Sequence, residues 1–295
     1  MSKIKIIFSE KLIIKYLFLL LLISLLVISV FSCSNKKKSI QDYENTPYED
    51  LEDAVFTDIE DILQIIQIKA VLSNMRLPVH IEEKIQEIII ESPAFLYELL
   101  SIIQKDRYLW ILVDRNHSLG RNYEPNDLID LRSSNYDTFR VAVGQKLRKI
   151  AADSLEEMAI AARNEGLRLF IGSSYRSYSE QINSYARHVN RLGAQEAYRV
   201  SSPAGHSQHQ LGLTVDFGYA TYEFANTKEY TWLMNNASRF GWSLSYPRNY
   251  ENITGFNWEP WHFRYVGIEI MEFIDKYFDG IQQYALMFIH NFYHF

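Results

Sequence analysis

Two short segments, 207–216 and 259–262, constrain this chain more than any other part of its sequence. They contain two histidines and two carboxylates: His209, Asp216, Glu259 and His262. Two imidazoles and one carboxylate can hold a zinc ion with its fourth position open, and a free carboxylate nearby can act as general base toward a water that the metal activates. If these groups act together, the fold must bring two distant segments of the sequence into contact.

The spacing inside each segment indicates strands and loops rather than a single helix. Gly212 separates His209 from Asp216, and it permits a turn between a ligand on a loop and a second ligand on the following strand. In the second segment, Pro260 disfavours a helical residue before it, which predicts a turn that enters a strand. In the His-Glu-x-x-His pattern, by contrast, one helix presents both histidines.

Three motifs, in this order along the chain, resemble those of a known family. They are Ser174-Tyr-Arg-Ser177, Ser207-x-His209-x-x-Gly212-x-x-x-Asp216 and Glu259-Pro-Trp-His-Phe-Arg-Tyr-Val-Gly267. Over residues 110–275 the chain resembles the VanY-type D-alanyl-D-alanine carboxypeptidases and the related L,D-carboxypeptidases of bacterial cell walls. The resemblance implies an α+β fold in which a small, mainly antiparallel sheet with flanking helices carries a zinc site on one face. The order of predicted elements, helices followed by a run of strands, favours the same class.

The resemblance also implies roles for individual residues. The zinc ligands that it implies are His209, Asp216 and His262, and the catalytic base is Glu259. The implied substrate-binding residues are Arg176, Gln181 and Ser207, with the arginine facing the terminal carboxylate of the peptide. Two positions depart from the pattern: Gln208 stands where glutamate is common, and Thr214 stands where alanine is usual. Neither departure removes a ligand or the base, so they bear on substrate preference more than on catalysis.

The arginine by itself points to an exopeptidase. A guanidinium offers a fixed fork of donors that suits bidentate capture of a carboxylate. A terminal carboxylate is what distinguishes the substrate of a carboxypeptidase from an internal peptide bond. Arg176 therefore predicts cleavage next to a chain end, provided that it lines the site.

Together these features predict a zinc-dependent D-carboxypeptidase that removes the C-terminal D-alanine from peptidoglycan stem peptides, with D,D or L,D specificity. The alternatives are a peptidoglycan endopeptidase or D,D-dipeptidase on the same scaffold, and a non-catalytic, zinc-stabilised binding module of the envelope. Glu259 argues against the binding module, because a structural zinc site closes its fourth position and has no use for a free base. Each residue alone also has a plainer interpretation as a satisfied polar group.

The amino terminus predicts where this chemistry takes place. Four lysines precede an apolar run over residues 16–31, and Ser32 then precedes Cys33, the only cysteine. A basic region, an apolar region and a processing point form a signal peptide, here residues 1–32, and the cysteine resembles the lipid-modified residue of a bacterial lipoprotein. The alternative is an uncleaved anchor over residues 12–31. Both interpretations attach the protein to a membrane and place the remainder in the cell envelope, outside the cytoplasm.

Composition agrees with a folded, exported protein. The chain is 47% hydrophobic and 14% aromatic, whereas a disordered chain is poor in both. Removing residues 1–32 deletes four lysines and one glutamate, which takes the formal charge from -6 to -9. An acidic chain offers no basic footprint, so we expect no nucleic-acid partner.

Patterning along the chain predicts three further parts. Residues 33–53 are polar and form a tether, residues 54–105 form a helical N-terminal region, and residues 106–295 form the zinc carboxypeptidase domain. The helical region is either a subdomain packed on the catalytic part or a module that binds a partner or the wall. Its first helix is predicted from apolar residues that recur at helical spacing: Ile59, Ile62, Leu63, Ile66 and Ala70.

Helices and strands of the catalytic part follow from the same patterns. An extended segment is predicted at 110–113, followed by a long helix at 143–164, a strand at 167–171, and a helix at 180–192 capped by Ser179. Further strands are predicted at 213–217, 242–245 and 262–265, and helices at 230–240 and 268–278.

Overall fold

The computed structural model describes residues 59–132 and 138–295. The signal peptide predicted at 1–32, Cys33 and the tether at 33–53 lie outside the described residues. The α-helices are α1 Ile59–Asn74, α2 Val79–Glu91, α3 Ala94–Gln104, α4 Arg107–Trp110, α5 Lys149–Asn164, α6 Tyr178–Leu192, α7 Ala194–Val200, α8 Lys228–Asn236, α9 Glu251–Thr254, α10 Ile268–Phe278 and α11 Gln282–Tyr293. The strands are β1 Leu128–Asp130, β2 Arg140–Val141, β3 Lys146–Arg148, β4 Phe170–Ser173, β5 Thr214–Phe217, β6 Trp242–Leu244 and β7 His262–Tyr265.

Five of these strands form one sheet in the order β2-β4-β5-β7-β6. Strands β2 and β4 are parallel, and the other three neighbouring pairs are antiparallel. Strands β1 and β3 form a separate antiparallel pair. The predicted α+β class with a small, mainly antiparallel sheet is confirmed.

The register of β5 and β7 brings the two predicted segments together. Asp216 is paired directly with His262, and Val215 is paired with Phe263. Because successive side chains of a strand point to opposite faces, the first pair lies on one face and the second on the other. Val215 and Phe263 are buried in the hydrophobic core. The sheet therefore carries polar groups on the face opposite to its packed aromatic side chains.

For Arg264, in the third motif, the sequence predicts an ion pair that supports the strand. The residue follows Phe263 in β7 and is fully buried. Its Nη2 instead donates to the backbone carbonyls of Tyr108, Leu109 and Ile111, at 3.3, 3.0 and 3.0 Å. A cation at the carbonyl end of the short helix α4 is favourably placed. The ion-pair prediction is wrong. Trp110 ends α4, and residues 111–113 of the predicted extended segment continue without strand pairing, with Ile111 at φ of -57° and ψ of 130°.

Helix α1 forms as predicted, but three of the apolar residues that predict it are exposed. Ile62, Leu63 and Ile66 are 49%, 60% and 58% exposed, whereas Ile68, Val71 and Leu72 are buried. The physical reason is that the C-terminal half of α1 packs against α11, where Gln67 Nε2 also donates to Phe292 O at 2.7 Å. Periodicity shows that a helix has an apolar side, but packing decides which residues are covered.

The N-terminal helices share a core with the C-terminal helices. Phe95 of α3 lies against Tyr277, Phe273 and Phe288, with ring centroids 4.7, 5.3 and 5.6 Å away. Such aromatic contacts add to the free energy gained from burial alone. The division of the chain at residue 105 stays a prediction. In the described ranges, no helix combines the length and apolar character needed to cross a membrane.

Candidate metal centre and active site

A cavity of about 390 Å³ lies beside the polar face of the sheet. All seven residues predicted to bind metal, bind substrate or act as base line it: Arg176, Gln181, Ser207, His209, Asp216, Glu259 and His262. They come from the segment after β4, the first turn of α6, the turn before β5, β5 itself and the segment that ends in β7. The fold thus assembles the predicted set in one place, while the roles of its members stay predictions.

His209 is presented by a turn that ends at Gly212. A 3₁₀ helix, Gln208–Leu211, carries the histidine, and Gly212 follows in the left-handed conformation with φ of 70°. A Cβ at this position would lie 2.9 Å from Leu128 Cδ2, so both backbone angle and space favour glycine. Strand β5 then begins at Thr214. The turn predicted between the two ligands is present.

Three potential ligand atoms converge in the cavity. His209, Asp216 and His262 are buried, and one donor atom of each lies within 4.8 Å of the others. His209 Nε2 is 3.2 Å from Asp216 Oδ2, and His262 Nδ1 is 3.1 Å from Asp216 Oδ1. Two imidazoles and a carboxylate are a ligand set that catalytic zinc sites use.

Hydrogen bonds on the outer side of each ring decide which nitrogen faces the centre. His209 Nδ1 lies 2.6 Å from the carbonyl oxygen of Ser174, and His262 Nε2 lies 3.2 Å from the amide oxygen of Gln208. An oxygen of this kind only accepts, so these nitrogens carry the protons of the neutral rings. The remaining nitrogens therefore turn lone pairs toward Asp216.

The centre of the site is consequently short of a positive charge. Asp216 Oδ1 is buried and receives no hydrogen bond from any residue that the structure describes. His262 Nδ1 is close to it, but that nitrogen faces it with a lone pair. Burial lowers the pKa of His262 to about 4, which keeps the ring neutral near pH 7. Two nitrogen lone pairs and a carboxylate that face one another are suited to bind a metal cation. Metal-binding histidines usually donate their other N–H group to an oxygen atom, as His209 and His262 do here.

Glu259 lies beside these groups without belonging to them. Its Oε2 is 3.5 Å from His262 Nδ1, and its backbone N–H donates to Tyr246 O at 3.0 Å in the turn before β7. Burial, and then the charge of Asp216, raise the pKa of Glu259 well above its ordinary value, while Arg115 and Arg176 oppose the shift. A buried carboxylate with a raised pKa beside a metal centre has the properties of a general base.

Arg176 is held rigidly at the edge of the cavity. Its Nη1 donates to Gln181 Oε1 at 2.8 Å and its Nη2 to Ser173 Oγ at 3.0 Å. Gln181 in turn donates to Ser202 O at 2.7 Å. Burial lowers the pKa of Arg176, but a guanidinium remains charged near neutral pH. With five N–H donors in one plane, Arg176 can keep these bonds and still bind a carboxylate.

The position of Gln181 depends on the cap of α6. The sequence predicts Ser179 as the cap, but Ser177 forms it, in a reciprocal capping box with Glu180. The earlier start still leaves Gln181 in the first turn, as predicted. At α5 the difference is larger, since the helix begins at Lys149 because residues 146–148 pair with β1 as strand β3.

Some cavity residues are missed by sequence reasoning. The sequence predicts that Trp258, Trp261 and Phe263 pack the core beneath the site. Phe263 is buried as predicted, but Trp261 lines the cavity. Trp258 lies under Arg248, whose guanidinium is 3.9 Å from the ring centroid. Tyr246 is buried with its ring centroid 4.6 Å from that of His262. The third motif contains Trp261 but does not show that its ring reaches the cavity, because strand alternation and turn geometry decide this.

Comparison with known proteins agrees with this geometry. The family model described as VanY, D-alanyl-D-alanine carboxypeptidase, matches residues 144–268. A putative carboxypeptidase of Bacillus subtilis (strain 168), YodJ, is 34% identical over 200 residues, which cover 62% of this chain and 72% of the relative.

Two solved structures share the fold. The LdcB LD-carboxypeptidase is 32% identical with a TM-score of 0.53, over 59% of this chain and 83% of that one. VanYB in complex with D-alanine-D-alanine is 31% identical with a TM-score of 0.50, over 60% of this chain and 96% of that one. The converging histidines and aspartate, the buried glutamate and the anchored arginine all lie within the matched segment. The resemblance seen in the three motifs is thus confirmed, and the chain belongs to the VanY family of D-alanyl-D-alanine carboxypeptidases.

Proposed function

We propose that this protein is a zinc-dependent D-carboxypeptidase that removes the C-terminal D-alanine from peptidoglycan stem peptides. The observation that carries the proposal is the convergence in one cavity of three potential ligand atoms, a buried carboxylate and an anchored guanidinium. Structural relatives described as an LD-carboxypeptidase and as bound to D-alanine-D-alanine support a substrate that ends in D-alanine.

His209, Asp216 and His262 would hold the metal through Nε2, a carboxylate oxygen and Nδ1. When bound, Zn²⁺ supplies polarisation of the scissile carbonyl and a water that loses its proton near neutral pH. Glu259 is close enough to the ligands to take that proton and to deliver it to the leaving amine, and no covalent intermediate is needed. Arg176 would bind the terminal carboxylate and so place the last peptide bond in the site.

Purified protein with zinc would be incubated with pentapeptide and tetrapeptide stems, and the products identified by mass spectrometry. We expect release of a single D-alanine from at least one stem. Release from the pentapeptide alone indicates D,D specificity, and release from the tetrapeptide alone indicates L,D specificity. Fragments larger than one alanine would favour an endopeptidase. Hydrolysis of free D-alanyl-D-alanine would favour a dipeptidase. Zinc binding without any hydrolysis would contradict the proposal and favour a binding module.

Replacing Arg176 with glutamine is expected to raise KM by about 10- to 100-fold with a smaller effect on kcat, the size expected for the loss of hydrogen bonds to a charged group. The reason is that Arg176 is the cation anchored beside the ligands by Gln181 and Ser173. Steady-state kinetics would be compared for a stem peptide and its C-terminal amide. The wild type should prefer the free acid, and the variant should lose that preference. Arg187→Gln, which changes an exposed arginine of the following helix α6, is the matched control. An unchanged preference in Arg176→Gln would exclude the assigned role.

We further propose that the protein is exported and anchored in the membrane by a lipid on Cys33. Its basis is the basic region, apolar run and single cysteine of the first 33 residues. In a bacterial host fed labelled palmitate, the full chain should carry label and sediment with membranes. Cys33→Ser should lose the label and leave the membrane fraction. Retention of the unlabelled variant in membranes would instead indicate an uncleaved anchor.

A further inference from the structure

The outer N–H group of His262 is held by a side chain that the sequence analysis treats only as a departure from the family pattern. His262 Nε2 lies 3.2 Å from Gln208 Oε1, and both side chains are buried. This contact sets the tautomer of His262, and therefore which of its nitrogens faces the candidate metal centre. The amide of Gln208 can perform this task only if its oxygen, and not its NH₂ group, faces the ring.

Three further hydrogen bonds determine the orientation of that amide. Ser245 Oγ donates to Gln208 Oε1 at 2.8 Å, and Gln282 Nε2 donates to Ser245 Oγ at 3.2 Å. The third hydrogen bond runs from Gln208 Nε2 to Gln282 Oε1 at 3.5 Å, so the three side chains form a closed cycle of hydrogen bonds. Each donor meets an acceptor around this cycle, and rotating the Gln208 amide by 180° would oppose its NH₂ group to the donors on His262 and Ser245.

Burial makes the cycle a strong constraint. Gln208, Ser245 and Gln282 are each 2% exposed, so solvent does not replace a lost partner. A buried polar group left without its partner costs more free energy than the hydrogen bond contributes on average. The amide pair is also chemically matched, because the NH₂ group of Gln208 needs an acceptor and Gln282 Oε1 is that acceptor. A carboxylate at position 208 would have no N–H to offer.

The members of the cycle come from three separate parts of the fold. Gln208 begins the 3₁₀ helix before β5, and Ser245 directly follows β6, where its backbone N–H donates to His262 O at 3.1 Å. Gln282 is the first residue of α11, beyond the segment 144–268 that matches the family model. The C-terminal helix therefore reaches a candidate ligand through Gln208, which Gln282 contacts both directly and by way of Ser245.

We propose that Gln282 is a positioning residue for His262, and that α11 helps to determine how tightly the metal centre binds its ion. Gln282 acts on the histidine through Ser245 and Gln208 and contacts neither the metal nor the substrate. The inference rests on the proposed metal site, but it requires only that the site binds a divalent cation. Its test does not depend on which peptide is cleaved.

Zinc affinity of Gln282→Leu would be measured by competition with a chromophoric chelator. We expect a fall of about 10-fold or more, as for other groups that support a ligating histidine. The absorption bands of the Co²⁺-loaded protein should also change, because they report ligand geometry. Gln283→Leu is the matched control: its side chain is buried too, but Nε2 donates to Asp114 Oδ2 at 2.9 Å and not to the cycle. It should lose stability and keep the wild-type zinc affinity and Co²⁺ spectrum.

A coupling experiment separates action through Gln208 from a general loss of stability. In a Gln208→Leu background, Gln282→Leu should have no further effect on zinc affinity, because the path to His262 is already broken. If Gln282→Leu does not fold, Ser245→Ala removes the hydroxyl that links Gln282 Nε2 to Gln208 Oε1 and leaves only the direct, 3.5 Å contact between the two amides. It should therefore lower zinc affinity as well, by a smaller factor. The proposal is overturned if a folded Gln282→Leu or Ser245→Ala protein binds zinc as the wild type does. If the wild type hydrolyses no stem peptide but its zinc affinity falls in these variants as expected, only the proposed function is refuted.

Discussion

Replacing Glu259 with glutamine is expected to lower kcat by about 10²- to 10⁴-fold while zinc affinity stays close to that of the wild type, since general-base catalysis contributes a factor of that size. The amide has nearly the same shape as the carboxylate but cannot take a proton from water. The three potential ligand atoms belong to other residues, so the metal site should remain intact. The effect should therefore fall on turnover, with KM and metal content largely unchanged.

The structure also makes this substitution mild for folding. The backbone N–H of Glu259 donates a hydrogen bond to Tyr246 O and stabilises the turn, and the substitution of the side chain leaves this bond in place. Removing a buried carboxylate whose ionisation is disfavoured relieves a cost, so we expect an unchanged or higher melting temperature. Turnover, zinc content and thermal unfolding would be measured on the same preparations. Glu223→Gln, an exposed carboxylate outside the cavity lining, is the control and should keep full activity. A zinc-loaded Glu259→Gln protein with wild-type turnover would contradict the assigned base.

Removal of zinc by a chelator should abolish turnover and lower the melting temperature by about 5–10 °C, if the ion had been present at about 100 times its dissociation constant. The reason lies in the arrangement of lone pairs. His209 and His262 direct theirs at Asp216, whose Oδ1 has no donor. Without a cation these groups repel one another in a buried place, and the folded state loses the binding free energy of the ion.

Differential scanning fluorimetry with stepwise return of zinc would measure this effect. Activity and melting temperature should recover together at one ion for each chain. His209→Ala should show low turnover and a melting temperature that zinc no longer raises. His80→Ala, which removes an exposed histidine of α2, should respond to zinc as the wild type does. If neither chelation nor added zinc moved the melting temperature of the wild type, the proposed metal centre would be refuted.

Local elements with a clear pattern are predicted well from the sequence. Strand β7 and helix α10 occupy the predicted residues 262–265 and 268–278, because alternation and helical periodicity there coincide with the glycine at 267 between them. The start of α5 is predicted wrongly, and the apolar spacing in α1 does not show which of its residues are covered. Both depend on distant partners, β1 for the first and α11 for the second, and a local pattern contains no information about such partners.

The sequence by itself determined the chemical groups of the site and the backbone that carries them: two imidazoles, two carboxylates, an arginine, and Gly212 for the turn between the first two ligands. Tertiary structure alone decided how these groups face one another. Pairing of β5 with β7 places Asp216 opposite His262, and the carbonyl of Ser174 and the amide of Gln208 select the nitrogen that each histidine turns inward. The physical reason is that proton positions on an imidazole depend on hydrogen-bond partners, and these come from parts of the chain that meet only in the folded protein.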